Sequence, residues 1–294
     1  MSKIYNKYKS EEPQELQELQ ELQDRIIFND DFNNPIETCI NILSLKKTIV
    51  FGKSFNQNLE NIPSNVERIY LGKYFQKSLT NIPSHVKSIC FANDSIFYNY
   101  LDYLHDDVEE LILGDNYDTV ITKLPSNLKT LVLGCGYNLK INAFGNLKYL
   151  DIGNSYTYSL DNLPNSLRTL VIGGEFNNYI KFPDELENFI IKKDCAYNRT
   201  LNDLPKSLIY LSIKNNYTQP IIKLPDSINV LEIGGGYVQS FPPNLVKIIL
   251  SDINNFDWTT IKLLNTIKII EISKNNIYMD KIMEMYPHAK IIIK

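Results

Sequence analysis

Leu124-Pro125-Ser126-Asn127-Leu128-Lys129-Thr130-Leu131-Val132-Leu133-Gly134 decides the fold, because it recurs. Ile62-Pro63-Ser64-Asn65-Val66-Glu67-Arg68-Ile69-Tyr70-Leu71-Gly72 repeats it, and further copies begin at Leu163-Pro164, Leu204-Pro205 and Leu224-Pro225. Weaker copies begin at Ile82-Pro83, Phe182-Pro183 and Phe241-Pro242, and two have lost the proline, at Leu104-His105 and Ala143-Phe144. The unit reads apolar-Pro-x-x-Leu-x-x-Leu-x-Leu-Gly followed by a short tail. Its first leucine position advances from Val66 through Val86, Val108, Leu128, Leu147, Leu167, Leu186, Leu208, Ile228 and Leu245 to Ile267. The mean period is about 20 residues, within the leucine-rich-repeat range.

The tail gives an independent check on register. An aromatic stands three residues beyond the glycine column at Phe55, Phe75, Tyr117, Tyr137, Tyr156, Phe176, Tyr217 and Tyr237. It stands five beyond at Phe97, Tyr197 and Phe256, in units that are themselves two residues longer. The extra residues therefore fall in a loop before the aromatic. Leu-x-Leu alternates with period two, so its leucines share one face. One such strand is too short to stand alone. Stacked copies pair as a parallel sheet and bury a continuous apolar column. Glycine closes the strand at a tight bend, and proline stiffens the return. The expected architecture is a repeat solenoid, leucine-rich-repeat-like, with about 11–12 parallel short strands and a short helical cap at each end.

The boundaries follow from the pattern. Residues 1–12 read as a disordered N-terminus and 13–48 as an N-terminal cap. The Glu-Leu-Gln tract of that cap puts Leu16, Leu19, Leu22 and Ile26 on one helical face. Residues 49–273 form the solenoid, and 274–294 supply a capping helix from Tyr278 to Tyr286 and a last strand from Ala289 to Ile293. That strand is apolar enough to invite self-association unless Lys290 and Lys294 protect its edge.

The repeat resembles the FNIP-type leucine-rich repeats of social amoebae and giant amoeba-infecting viruses. The unit itself and the aromatic–Asn pairs Phe55-Asn56, Tyr137-Asn138 and Phe176-Asn177 carry the resemblance, over roughly residues 49 to 255. Some viral members resemble fusions of an F-box to the repeats, which implies a substrate adaptor of a ubiquitin ligase. Residues 1–48 here show no convincing F-box. A structural or virion component is the other alternative.

Composition narrows the function further. The chain is 44% hydrophobic and 22% charged with a net charge of −4, so no basic field draws it to nucleic acid. No apolar run reaches ~18 residues, so no membrane span is expected. The first residues do not read as a secretory leader. Cys39, Cys90, Cys135 and Cys195 have neither disulfide-framework nor zinc spacing, which suits free thiols in cytoplasm. His85, His105 and His288 fall in different units and read as loop or surface side chains. Gly234-Gly235-Gly236 lies in the glycine column and reads as a turn. No metal, cofactor or catalytic constellation is expected.

The sheet's outward positions are more informative. One column contains Tyr70, Ile112, Val132, Asp151, Val171, Ile190 and Glu232, and its neighbour contains Arg68, Tyr149 and Tyr210. An outward stripe this apolar is expected to be an exposed partner-binding surface, with two tyrosines as anchors and charged groups at its edges. The function read from sequence is a non-enzymatic protein-interaction scaffold that docks an unidentified protein on its concave sheet face.

Overall fold

The fold is seen in a computed structural model that describes residues 24–214, 217–234, 241–250, 265–272 and 279–293. Its strands are Arg25–Ile27 (β1), Thr48–Val50 (β2), Arg68–Leu71 (β3), Ser88–Phe91 (β4), Glu110–Ile112 (β5), Thr130–Val132 (β6) and Tyr149–Asp151 (β7). They continue as Thr169–Ile172 (β8), Asn188–Ile191 (β9), Tyr210–Ile213 (β10), Val230–Ile233 (β11), Lys247–Leu250 (β12), Ile269–Ile272 (β13) and Lys290–Ile293 (β14). All pair in parallel and in chain order as one 14-stranded sheet. The leucine columns lie in register, with Leu111 beside Leu131, Leu131 beside Leu150 and Leu150 beside Leu170. Each of these four leucines is fully buried. β2 to β13 are the strands that the period predicts.

The sheet starts one coil earlier than the solenoid read from sequence. β1 lies inside the stretch taken as a cap, and the Glu-Leu-Gln tract before it falls outside the described residues. The coil is recognisable afterwards: Phe28 and Phe32-Asn33 stand to β1 as Phe51 and Phe55-Asn56 stand to β2. Phe28 stacks on Phe51 at 5.7 Å and Phe32 on Phe55 at 6.0 Å. A 3-10 turn at Ile36–Cys39 and a short helix at Ile40–Leu43 close the coil, with Ile36 and Leu43 buried. At the far end the helix Met279–Met285 precedes β14, as expected. Its Ile282 and the following Tyr286 are buried.

Opposite the sheet the aromatic column forms a stacked spine. Ring centroids are 6.2 Å apart for Phe55–Phe75 and 6.1 Å for Phe75–Phe97, Phe97–Tyr117 and Tyr117–Tyr137. Phe176–Tyr197 repeats the spacing at 6.2 Å. Parallel strands lie about 4.8 Å apart. The wider spacing of the rings favours coils that are thinner at the sheet than at the spine, and with them a sheet on the inner side of the stack.

Two kinds of contact recur between the tails of neighbouring coils. The Asn after the aromatic accepts a backbone N–H from the next coil: Asn33 Oδ1 from Asn56 at 2.8 Å, Asn56 Oδ1 from Gln76 at 2.9 Å, Asn177 Oδ1 from Asn198 at 3.0 Å. The glycine after the strand passes the preceding coil's carbonyl so closely that no side chain fits. A Cβ at Gly72 would lie 2.1 Å from the Gly52 oxygen, and one at Gly134 would lie 1.9 Å from the Gly114 oxygen. Two of the longer units carry Ala92 and Lys192 at this position instead.

Replacing Phe75 by Ala should cost about 3–5 kcal/mol, because the neighbouring rings cannot close the gap. Replacing Asn56 by Ala should cost roughly 1–3 kcal/mol, the penalty for an orphaned amide. Urea melts give both values. Hydrogen exchange should show faster exchange at the Gln76 amide in the Asn56→Ala chain, and unchanged exchange there would refute the ladder.

Candidate functional site

The inner side of the arc carries every sequence-nominated binding residue on one continuous surface. The strands alternate, so Arg68, Tyr149 and Tyr210 share one column, while Tyr70, Ile112, Val132, Asp151, Val171, Ile190 and Glu232 share the next. The surface is more crowded than the sequence reading allows. Tyr70 is 37% exposed, and Arg68, Ile112, Val132 and Tyr149 are half-buried. Val171, Ile190 and Tyr210 retain only 3%, 8% and 8% exposure and form a second apolar cluster with Tyr149 and Val230. The expectation of a fully exposed stripe is corrected here. Side chains on the inside of an arc converge and cover one another. In addition, Lys192 lies across the cluster.

Lys192 follows β9 in the glycine column, and its ammonium pairs with Asp151 of β7 at 2.8 Å, so its stem spans the intervening strand. A Cβ on Gly173 would meet Lys192 Cδ at 2.9 Å, which fixes the path of that stem. Asp151 also accepts the Gly153 N–H at 3.0 Å. On the other side of the cluster Glu232 accepts from the Tyr210 hydroxyl at 2.6 Å and the Ser212 hydroxyl at 2.9 Å, and pairs with Lys214 at 3.2 Å. Lys214 also stands in the glycine column. Two lysines that break the repeat thus neutralise two carboxylates on its inner face.

Further charges of the inner face are paired as well. Arg68 lies 3.6 Å from Glu110 and donates to Ser88 Oγ at 3.3 Å, while Ser88 donates on to Glu110. Lys247 pairs with Glu271. The groups read as free specificity determinants, Arg68, Asp151 and Glu232, are therefore bound within the face. Burial of a carboxylate is costly unless such partners are in place. Burial also pushes the Cys90 thiol and the Tyr70 hydroxyl up to about 12, so neither is a nucleophile at neutral pH. None of the four cysteines forms a disulfide.

The rim that leads into the strands is a charge ladder. Each rim amide donates to the carbonyl of the previous rim residue along Lys47, Glu67, Lys87, Glu109, Lys129, Lys148, Arg168 and Glu187. Signs alternate from Lys47 to Lys129 and then fail, because Lys129, Lys148 and Arg168 are three successive cations. Lys129 is held by Glu109, and Arg168 by Glu185 and Glu187.

The back of the coils offers less chemistry. His85 Nε2 and both ring nitrogens of His105 are buried without a well-formed hydrogen bond. Burial holds His105 below the usual imidazole range, Lys87 and His85 add to this, and Asp107 and the Pro83 carbonyl oppose it. Among the described residues no group of three or more His, Cys, Asp or Glu side chains is placed to hold a metal ion.

Comparison with known proteins bears on the same units. The family model described as FNIP Repeat matches residues 55–94 and 197–236. Both stretches are similar to the FNIP repeat. Within them Phe55-Asn56 and Tyr197-Asn198 contribute to the ring column and the amide ladder described above. The crystal structure of CroV588, a circular LRR protein of the giant virus CroV, superposes with a TM-score of 0.63 at 22% identity. The match covers 85% of this chain and 46% of that one, so this chain spans about half the length of that protein. The shared feature is the LRR-like fold. No curated protein matches the sequence.

A double-mutant cycle on Asp151 and Lys192 should give a coupling energy of about 1 kcal/mol, the scale of a partly exposed pair. Lys192→Met should cost more than the Lys192→Met, Asp151→Asn pair, because it alone leaves a buried carboxylate unpaired. His105 predicts a pH effect. Its depressed value stabilises the fold fully above the unfolded-state value of 6.5, and that stability declines as pH falls below it. Thermal melts at pH 7.5 and 5.5 should differ less for His105→Gln than for the parent chain.

Proposed function

We propose that this chain is a non-enzymatic protein-interaction scaffold that receives its partner on the concave sheet face. The wedge shape of the coils carries the reading, because it turns a continuous parallel sheet inward as a trough. The trough holds an apolar cluster at Tyr149, Val171, Ile190, Tyr210 and Val230, with half-buried Ile112 and Val132 beyond it. Paired carboxylates flank the cluster, so a partner gains apolar contact at the half-buried Ile112, Val132 and Tyr149 without stripping a free charge of water. No helix of the described residues is long and apolar enough to cross a membrane. Four free cysteines suit a reducing cytoplasm as the working compartment.

A different chain fits better than a second copy. Parallel continuation of the sheet would place Lys290 of β14 beside the second copy's Arg25, and both are exposed. Like charges at adjacent strand positions oppose pairing and protect an edge.

The test is a chain carrying Val132→Lys and Tyr149→Ala. The new lysine would stand beside Asp151, its register neighbour, so the fold should survive. Partners captured by the parent chain should be lost from this variant at unchanged melting temperature. Retention of every partner by a folded double variant would place binding elsewhere.

A further inference from the structure

We infer that residues 13–23 lie back on the first coil and cover an apolar patch of Ile40, Ile42 and Leu45 with Leu16, Leu19 and Leu22. The patch is the observation. Each coil enters its strand through a leg, and neighbouring legs pack together: Asn65 donates to the Leu43 and Lys46 carbonyls of the leg before it at 3.0 and 2.6 Å. The legs that enter β3 and β4 turn polar side chains outward, at Glu60, Asn61 and Ser64 and at Thr80, Asn81 and Ser84. The leg that enters β2 differs. Its Ile36 and Leu43 are buried, yet Ile40, Ile42 and Leu45 are 40%, 54% and 77% exposed. The first strand lacks a cover in the same way. Ile26 and Phe28 are only half-buried, whereas their counterparts in the next coil, Ile49 and Phe51, are buried in full. The end of a solenoid exposes a core face and needs a cap.

Chain continuity names the occupant. The Asp24 carbonyl accepts the Lys47 and Thr48 amides at 2.9 and 3.0 Å, as the Lys47 carbonyl accepts those of Glu67 and Arg68. The residues that enter β1 therefore start beside the end of the leg that enters β2. Ile26 stands beside Ile49 in the sheet, and the same offset sets Leu22 against Leu45 and Leu19 against Ile42. Leu16, Leu19 and Leu22 share one helical face, and residues 13–23 hold no other large apolar side chain. The charges agree as well. Glu15, Glu18 and Glu21 are the only ionic residues of the tract, and the leg it would meet ends in Lys46-Lys47. Apolar side chains at matching positions, opposite charge and a direct covalent connection make this segment a better cover than a second copy or another chain.

The experiment uses the full chain throughout. In Leu16→Gln, Leu19→Gln, Leu22→Gln, hydrogen exchange should be about tenfold faster than in the parent at the Ser44 and Lys46 amides, which bond within the leg, and unchanged in β6. A glutamate-specific protease should cut the parent slowly after Glu15, Glu18 and Glu21. Cleavage there should be about tenfold faster both in the leucine variant and in Ile42→Ser, Leu45→Ser. Ile42 and Leu45 lie outside the core cluster, so the coils of that variant should stay folded. Equal exchange at Ser44 and Lys46 in parent and leucine variant would overturn the inference. So would cleavage of the parent as fast as that of a free peptide of residues 11–25. A concentration-dependent dimer in sedimentation, lost in Ile42→Ser, Leu45→Ser but kept in the leucine variant, would give the patch to a second copy instead.

Discussion

No coil of this chain can bury its own hydrophobic side chains, and every other feature follows from that dependence. A strand of three or four residues has no stability in isolation. It becomes stable when its leucines enter a column shared with the coils on either side, and when its ring joins the spine opposite. The two columns have different natural spacings. Backbone hydrogen bonds fix the sheet side, while ring thickness and loop packing fix the spine side near 6.1 Å. The mismatch bends the stack. Curvature is thus a property of the repeat's composition, and a column of smaller side chains in place of Phe and Tyr would flatten it.

Curvature in turn sets the chemistry of the inner face. Outward side chains on adjacent strands converge there, so Ser212 and Val171 are buried although they point away from the core. Carboxylates on such a face lose water and need partners. The repeat supplies these from positions where its own rule is relaxed. Lys192 and Lys214 occupy the glycine column, from which a long side chain can turn back over the sheet. The polar groups of the trough are therefore structural. What remains exposed to a partner is the margin of the face, at Tyr70, Ile112 and Val132, and the rim.

Much of this was legible in the residues. The period, the strand positions, the C-terminal helix and strand, and the aromatic column all follow from spacing within a unit. Two kinds of feature were not legible. The first coil was missed because Arg25-Ile26-Ile27 lacks the leucine signature and the proline, although Phe28 and Phe32-Asn33 repeat the tail. The inner-face ion pairs were missed because they join residues two coils apart or out of column. Asp151 and Lys192 belong to different units, and only the path of the lysine over Gly173 brings them together. The apolar stripe was read as exposed because a strand pattern carries no information about curvature. That information lay in the size of the aromatic residues on the opposite side of the coil.

The repeat also separates what must be constant from what can vary. Leucine columns, ring spine, asparagine ladder and the close glycine turn are each constrained by two neighbours at once, so a change at one site disturbs three coils. Rim and inner-face positions touch neighbours only through side-chain tips. They can change sign or size without moving the backbone, provided any buried charge is answered. The run of Lys129, Lys148 and Arg168 uses that freedom against local electrostatics rather than with it. The alternation on the preceding coils shows that this rim can satisfy its charges internally.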